Sequence, residues 1–153
     1  STSLEEQAAS LTDAIGNFKL LQGVATEAMD LVQRAAEFRR TSGGGESFLS
    51  GLTDKRNAFH DRDMYVFVLD GNGTYRAFAG NPAKVGTRVH DVPGIDGDRL
   101  VRSIVSQAED GPGWVVYEIT HPTTGIVQTK MSFVMKIDSL YMGCGIYKNL
   151  AKT

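Results

Sequence analysis

Apolar residues recur every seven positions along the front of the chain. Leu4, Leu11, Phe18, Ala25 and Val32 form one set; Ala8, Ile15, Met29 and Ala36 form a second, interrupted once by Gln22. Interleaved, they give the alternating four-and-three spacing of a coiled-coil stripe. A helix over residues 4–36 would be about 50 Å long. Gly16 and Gly23 each cost roughly 1 kcal/mol in a helix interior, so a break between them is expected. Residues 4–21 suit equally a dimer helix and a helix lying on the domain that follows. From residue 24 onward, packing on that domain is expected.

Thr41 to Gly45 ends the helix, because consecutive glycines give cheap left-handed geometry and stop propagation. A second helix is expected over Ser47 to Phe59, with Phe48, Leu49, Leu52 and Phe59 on one side. Period and composition then change. Met64 to Leu69 is β-branched and aromatic and reads as a buried strand. Asp70-Gly71-Asn72-Gly73 is a strong hairpin signal, and Thr74 to Phe78 is the return strand. The stretch from Gly80 to Gly97 is long for a loop in a compact domain, and such loops usually cover something. Asp98 to Asp110 predicts a helix with Leu100, Val101, Ile104, Val105 and Ala108 on one face, ended by Gly111-Pro112. Trp114 to Ile119, Ile126 to Ile137 and Leu140 to Tyr147 predict three more strands. The resulting class is α+β: a five-stranded antiparallel sheet packed on a long N-terminal helix. One sheet face takes the helix; the other curls around a pocket roofed by residues 80–97.

Composition sharpens this division. Of 17 glycines, two lie in the first 42 residues; all four prolines follow residue 80, and all five tyrosines and the single Trp follow residue 64. Two compositions are joined in one chain. Its 153 residues suit one domain with an attached element. A net charge of −2 disfavours a non-specific nucleic-acid binder. No apolar run is long enough to span a membrane. Residue 1 is Ser and no signal peptide is visible, so a fragment or processed form is expected. One cysteine forms neither an internal disulfide nor a multi-cysteine zinc site and agrees with a reducing compartment.

Little here suggests an enzyme. His60, His90 and His121 lie apart, at no metal-ligand spacing, and read as solvated side chains. Asp61, Asp63 and Asp70 resemble a calcium loop only faintly, since the twelfth position of either register is Asn rather than Glu. No nucleophile elbow and no phosphate loop is present. Cys144, between Gly143 and Gly145 on an expected strand, reads as a small buried residue where backbone comes close. Lys130 is different. On its strand it shares a face with Gln128 and Ser132, and a lysine in a central strand is costly to bury unpaired. It either reaches solvent or faces an anion. Tyr65 and Phe67 share one face of the first strand, and Val115 and Tyr117 share one of the third. Aromatic walls with one lysine make a reasonable site for a small carboxylate.

These motifs, taken in order, resemble a known family. Asp61 to Gly73, Asn81-Pro82 to Gly86, Asp96-Gly97, Gly113 to Tyr117, His121-Pro122, Lys130 to Phe133 and Gly143 to Tyr147 are similar to a Cache sensor domain of the single-Cache type. The resemblance covers residues 24–150 or so and implies a PAS-like fold. Separately, Leu4 to Leu20 resembles the end of the cytoplasmic signalling helix of methyl-accepting chemotaxis proteins. Within it Glu5-Glu6-Gln7-Ala8-Ala9-Ser10 matches the methyl-acceptor pattern, with Glu6 as the possible acceptor.

The resemblance implies residues 1–22 as the end of a signalling helix and residues 23–153 as a single Cache domain at the C-terminus of a bacterial chemoreceptor. It implies a cytoplasmic location for that part, with no transmembrane segment in this chain. The expected function is a non-enzymatic ligand-binding sensor in chemotaxis, taking a small molecule such as a short-chain carboxylate. The rival is a ligand-free dimerisation or docking module. A redox or cofactor sensor using Cys144 or a histidine has only those residues' presence behind it. The expected partners are the ligand, the rest of the receptor and a second copy through the N-terminal helix, with no nucleic acid, metal or cofactor. The implied ligand residues are Tyr65, Phe67, Arg76, Phe78, Trp114, Tyr117 and Lys130. Many relatives carry His where this chain has Phe78, and Arg76 and Arg88 are nearby cations that offer a substitute donor.

Overall fold

The computed structural model describes residues 23–148. Glu6 and the apolar seam from Leu4 to Phe18 lie outside the described residues, as does the division of the chain at residue 22.

Helix α1 spans Ala25–Ser42 and α2 Gly45–Thr53. Glu27 accepts the Val24 amide at the start of α1, and Gly43, at φ 82°, ends it. Gly44 and Gly45 also have positive φ (79° and 60°), so three successive left-handed residues fold α2 back beside α1. The expected second helix is cut short at Thr53. The Asp54 carboxylate accepts the Arg56 amide, and the Asn57 side chain donates to the Gly51 carbonyl at 2.7 Å. These local bonds compete with helix continuation.

Among the described residues six strands form one antiparallel sheet: β1 His60–Asp61, β2 Met64–Leu69, β3 Tyr75–Phe78, β4 Gly113–Thr120, β5 Val127–Ile137 and β6 Leu140–Tyr147. Their order is β1-β2-β6-β5-β4, with β3 also on β2. The five expected strands are all present. The short β1 is additional; it pairs His60 with Tyr65 across a turn in which Arg62 takes φ 57°. Asp70 builds the β2–β3 turn by accepting the amides of Asn72 and Thr74. Helix α3, Gly97–Asp110, starts at Asp96, whose carboxylate accepts the Arg99 amide.

The sheet carries a core on each face. On one, Ala28, Leu31, Val32 and Ala35 of α1 and Phe48 and Leu52 of α2 bury Met64, Val66, Val68, Phe133, Met142, Cys144 and Ile146. On the other, Leu100, Val101, Ile104 and Ala108 of α3 meet Phe67, Leu69, Tyr75, Phe78, Val115 and Val134. The second core is where the structure extends the sequence picture: α3 joins the roof over the pocket face.

Residues 80–97 form that roof. Two short 3-10 turns, Pro82–Lys84 and Val89–Asp91, interrupt the loop. Tyr75 N donates to Thr87 O, Gly86 N to Tyr75 O and Val89 N to Gly73 O, each within 2.9 Å. The roof is thus hydrogen-bonded along β3. A 2.7 Å contact between His90 Nε2 and Asp98 ties it to α3.

Candidate functional site

Strand parity decides what reaches the space beneath the roof. Successive side chains point to opposite faces, so Tyr65 and Phe67 on β2, Tyr117 and Ile119 on β4, and Lys130 and Ser132 on β5 share the inner face. Together with Tyr75, Phe78 and the roof residues Val89, Val92 and Ile95 they enclose a cavity of about 130 Å³. That is about four times the liquid volume of a water molecule. Tyr65, Phe67, Phe78, Tyr117 and Lys130 are therefore brought together as expected.

Trp114 and Arg76 are not, and both departures have a physical cause. Trp114 has the opposite parity to Tyr117. It points to the α1 face and meets Phe133 edge-on, with ring centroids 5.4 Å apart. Arg76 sits at a bulge. Leu69 pairs with Tyr75 and Val68 with Ala77, which leaves Arg76 as the extra residue. The bulge restores Phe78 to the same side as Tyr75 and turns Arg76 outward, exposed, 3.9 Å from Glu46. Arg88 is exposed on the roof, donating to the Asn72 carbonyl, and does not line the cavity.

Tyr75, Ser132 and the roof residue Lys84 also line the cavity, and none of the three is among the expected site residues. The signal for Ser132 was its shared face with Lys130. Tyr75 was hidden by the bulge, since simple alternation puts it opposite Phe78. The two glycines of β6 complete the site. A Cβ on Gly145 would stand 2.8 Å from Ser132 Oγ and 3.2 Å from the Tyr117 hydroxyl. The bare backbone there leaves room for the Tyr117–Ser132 hydrogen bond of 3.1 Å. The close approach expected around Cys144 is thus made by its neighbours. Cys144 itself faces the helix, fully buried, and burial pushes its thiol up to about 12.

The cavity is a set of donors in apolar walls. Burial pushes the phenols of Tyr117 and Tyr75 up to about 12 and that of Tyr65 higher still. All three stay protonated at neutral pH. Tyr65 stacks on Phe78 with centroids 4.2 Å apart and planes at 19°, and Tyr75 meets Phe78 edge-on at 5.1 Å. The Lys130 ammonium lies 5.0 Å from the centre of the Tyr147 ring and has no ion pair among the described residues. Burial lowers its pKa, with Asp63 opposing. Among the described residues no acidic side chain lines the cavity. Two ammonium groups, Lys130 from the sheet and the exposed Lys84 from the roof, with three neutral phenols and one serine hydroxyl, suit a small anion that accepts hydrogen bonds.

Among the described residues no group of acidic, histidine or cysteine side chains is arranged to hold a metal ion. None of their helices is long and apolar enough to cross a membrane.

With the fold and the site in view, the class is that of a sensor domain, and sequence comparison supplies the family. Residues 22–149 match the family described as single Cache domain 2, and the chain belongs to it. Over 90 residues, 58% of the chain, it is 29% identical to the sensor histidine kinase MctS of Rhizobium johnstonii. The chain spans about one fifth of that protein's length. Two solved structures share the fold. One is a methyl-accepting chemotaxis protein from Vibrio parahaemolyticus, with TM-score 0.60 and 17% identity over 97% of this chain and 99% of that one. The other is a Cache chemosensory domain described for its recognition of carboxylic acid, with TM-score 0.55 and 18% identity over 90% and 97%. Domains of this family are signal-sensing modules rather than enzymes.

One expectation is overturned. The cytoplasmic location rested on the segment order, the lone cysteine and the lack of a visible signal peptide. Membership of the single Cache family overturns it, because Cache domains are extracellular or periplasmic sensor parts of membrane receptors.

Proposed function

We propose that this domain senses a short-chain carboxylate for a bacterial chemoreceptor, binding it in the cavity between the sheet and the roof. The observation that carries the reading is the Lys130 ammonium, on the wall of a small cavity; among the described residues it has no ion pair and no acid lines that cavity. Lys130 takes the carboxylate, Tyr117 with Ser132 supplies neutral donors, and Tyr65, Phe67 and Phe78 bound the alkyl end. The size suits an acid of two to four carbons. The carboxylic-acid recognition described for the 18%-identical Cache domain agrees with this. Thermal shift and calorimetry with acetate, propionate and pyruvate test it, on the wild type and on Lys130→Ala. A ligand at 100 times its Kd adds about 2.7 kcal/mol to stability. Equal stabilisation of both proteins removes Lys130 as the anchor.

The output is proposed as chemotactic on the resemblance of residues 4–20 to a signalling helix. The MctS relative carries its matching segment in a histidine kinase instead. Placement at the receptor's C-terminus and methylation of Glu6 both required a cytoplasmic domain, and they lose their support with that location. Peptide mass analysis after incubation with a receptor methyltransferase tests Glu6.

A second reading, a ligand-free dimerisation module, draws on Phe78, which stacks on Tyr65 and takes up part of the site. Light scattering with and without residues 1–22 tests whether the N-terminal segment sets a dimer. A dimer lost on truncation, together with no binding of any acid, favours this module.

A further inference from the structure

The inner cavity is the last of three adjoining spaces. A pocket of about 300 Å³ between α3 and β4 shares Ile95, Leu100 and Tyr117 with it. Farther out, a groove of about 810 Å³ along the same helix and strand shares Arg99, Ser103 and Val116 with that pocket. The series narrows from solvent toward Lys130. On the other side of the roof, a groove of about 570 Å³ reaches Pro82 and Val85; it shares no wall residue with the cavity, although the exposed Lys84 between them lines the cavity.

We infer that the ligand enters along this series, between α3 and β4, and passes between Ile95 and Tyr117 without the roof opening. The inference rests on the carboxylate reading of the cavity. Three observations favour the route over a lifting roof. The roof is held along β3 by three backbone hydrogen bonds and to α3 through His90 and Asp98. Ile95 is pinned on both sides: the Gly94 carbonyl accepts the Thr120 amide at 2.9 Å, and Asp96 caps α3. Tyr117 is anchored by Ser132. The Ile95 side chain is therefore the element free to turn, and a side-chain rotation is far faster than loop movement.

Charge does little sorting at the mouth. Arg99 and Arg102 line the outer spaces, but so do Asp96, Glu109, Asp110 and Glu118, so the mouth offers no attractive field for an anion. Selection falls to the Ile95–Tyr117 gap, which sets the largest cross-section that passes. Ile95 is thus a specificity-determining residue of the site.

The probe is fluoroacetate, its exchange with the protein followed by fluorine NMR in the wild type, Ser103→Trp and Val85→Trp. Ser103 lines both outer spaces and not the cavity, and Val85 is exposed on the roof. Ser103→Trp is expected to slow association and dissociation alike, by about tenfold, with Kd within about twofold. Val85→Trp is expected to leave both rates unchanged. Val116→Trp, on the facing strand, repeats the test if Ser103→Trp does not fold. Slowing by Val85→Trp alone overturns the route in favour of the roof. A Kd that moves as much as the rates also overturns it, because the substitution then acts on the site. Failure of fluoroacetate to bind the wild type instead sinks the carboxylate reading, and the route with it.

Discussion

Gly143 and Gly145 lie two residues apart on the same face of β6, yet an alanine at each should fail in a different way. At Gly145 the added methyl would meet Ser132 Oγ at 2.8 Å and the Tyr117 hydroxyl at 3.2 Å. Both are side-chain ends. The serine can rotate and the tyrosine can tilt, at the cost of their mutual hydrogen bond, about 0.5–1.5 kcal/mol. Alanine restricts the unfolded chain and returns about 0.4–1 kcal/mol. The fold should therefore lose less than about 1 kcal/mol. The site should lose more, since the displaced Tyr117 ring intrudes on a cavity of about 130 Å³. Propionate affinity is expected to fall at least tenfold, about 1.4 kcal/mol. At Gly143 the methyl would meet the Phe67 ring at 2.8 Å, Val134 Cγ1 at 2.9 Å and the Phe133 carbonyl oxygen at 3.0 Å. Backbone and fully buried Val134 have nowhere to go, and overpacking of this kind costs about 1–3 kcal/mol. Urea denaturation and calorimetry on the two variants separate the effects. The reasoning fails if Gly145→Ala unfolds at clearly lower urea than Gly143→Ala, or if it binds propionate like the wild type.

Other expectations follow from charge and burial. Lys130 has a lowered pKa in the folded protein, so below that value it is charged in both states and its burial cost is complete. As pH rises from there toward the ordinary lysine value, about 10.4, the cost disappears and its contribution to stability increases. Carboxylate affinity should fall over the same interval, and in Lys130→Met both trends should vanish from pH-dependent melting and calorimetry. Arg39 holds Asp138 through two bonds of 2.7 and 2.9 Å and lowers its pKa. This contribution is present above the unfolded aspartate value, about 3.9, and is lost as pH falls through the lowered one. Arg39→Ala should therefore flatten the acid limb of the stability profile. Asp54, held at about 2 by Arg56, behaves likewise, and Arg56→Ala should raise the Asp54 carboxyl pKa measured by NMR. Cys144, buried with its thiol near 12, should react with a disulfide reagent only as fast as the protein unfolds; rapid labelling of native protein would contradict its placement.

The chain's periodicities made most of the fold legible. The five expected strands and α3 follow runs with a clear period of two or 3.6 residues, and all appear within one or two positions. Lys130 and Ser132 were placed correctly because strand parity needs no knowledge of neighbours. What stayed hidden depends on single backbone irregularities. An arginine at φ 57° makes the turn before β2, and arginine is uncommon there. One extra residue in β3 moves Tyr75 into the cavity and Arg76 out of it. The side chains of Asp54 and Asn57 stop α2 early although the apolar pattern continues to Phe59. Trp114 was misplaced for another reason: family resemblance grouped it with Tyr117, while strand alternation separates them.

β6 has a further consequence. Gly143, Gly145 and Tyr147 look onto the ligand side, while Met142, Cys144 and Ile146, alternating with them, are buried against the helix side. A ligand in the proposed site would therefore be separated from the helix by the thickness of a single backbone. Its effect would cross the domain in one covalent step rather than through a relay of side chains. It would then meet α1, whose 18 residues make a rod of about 27 Å.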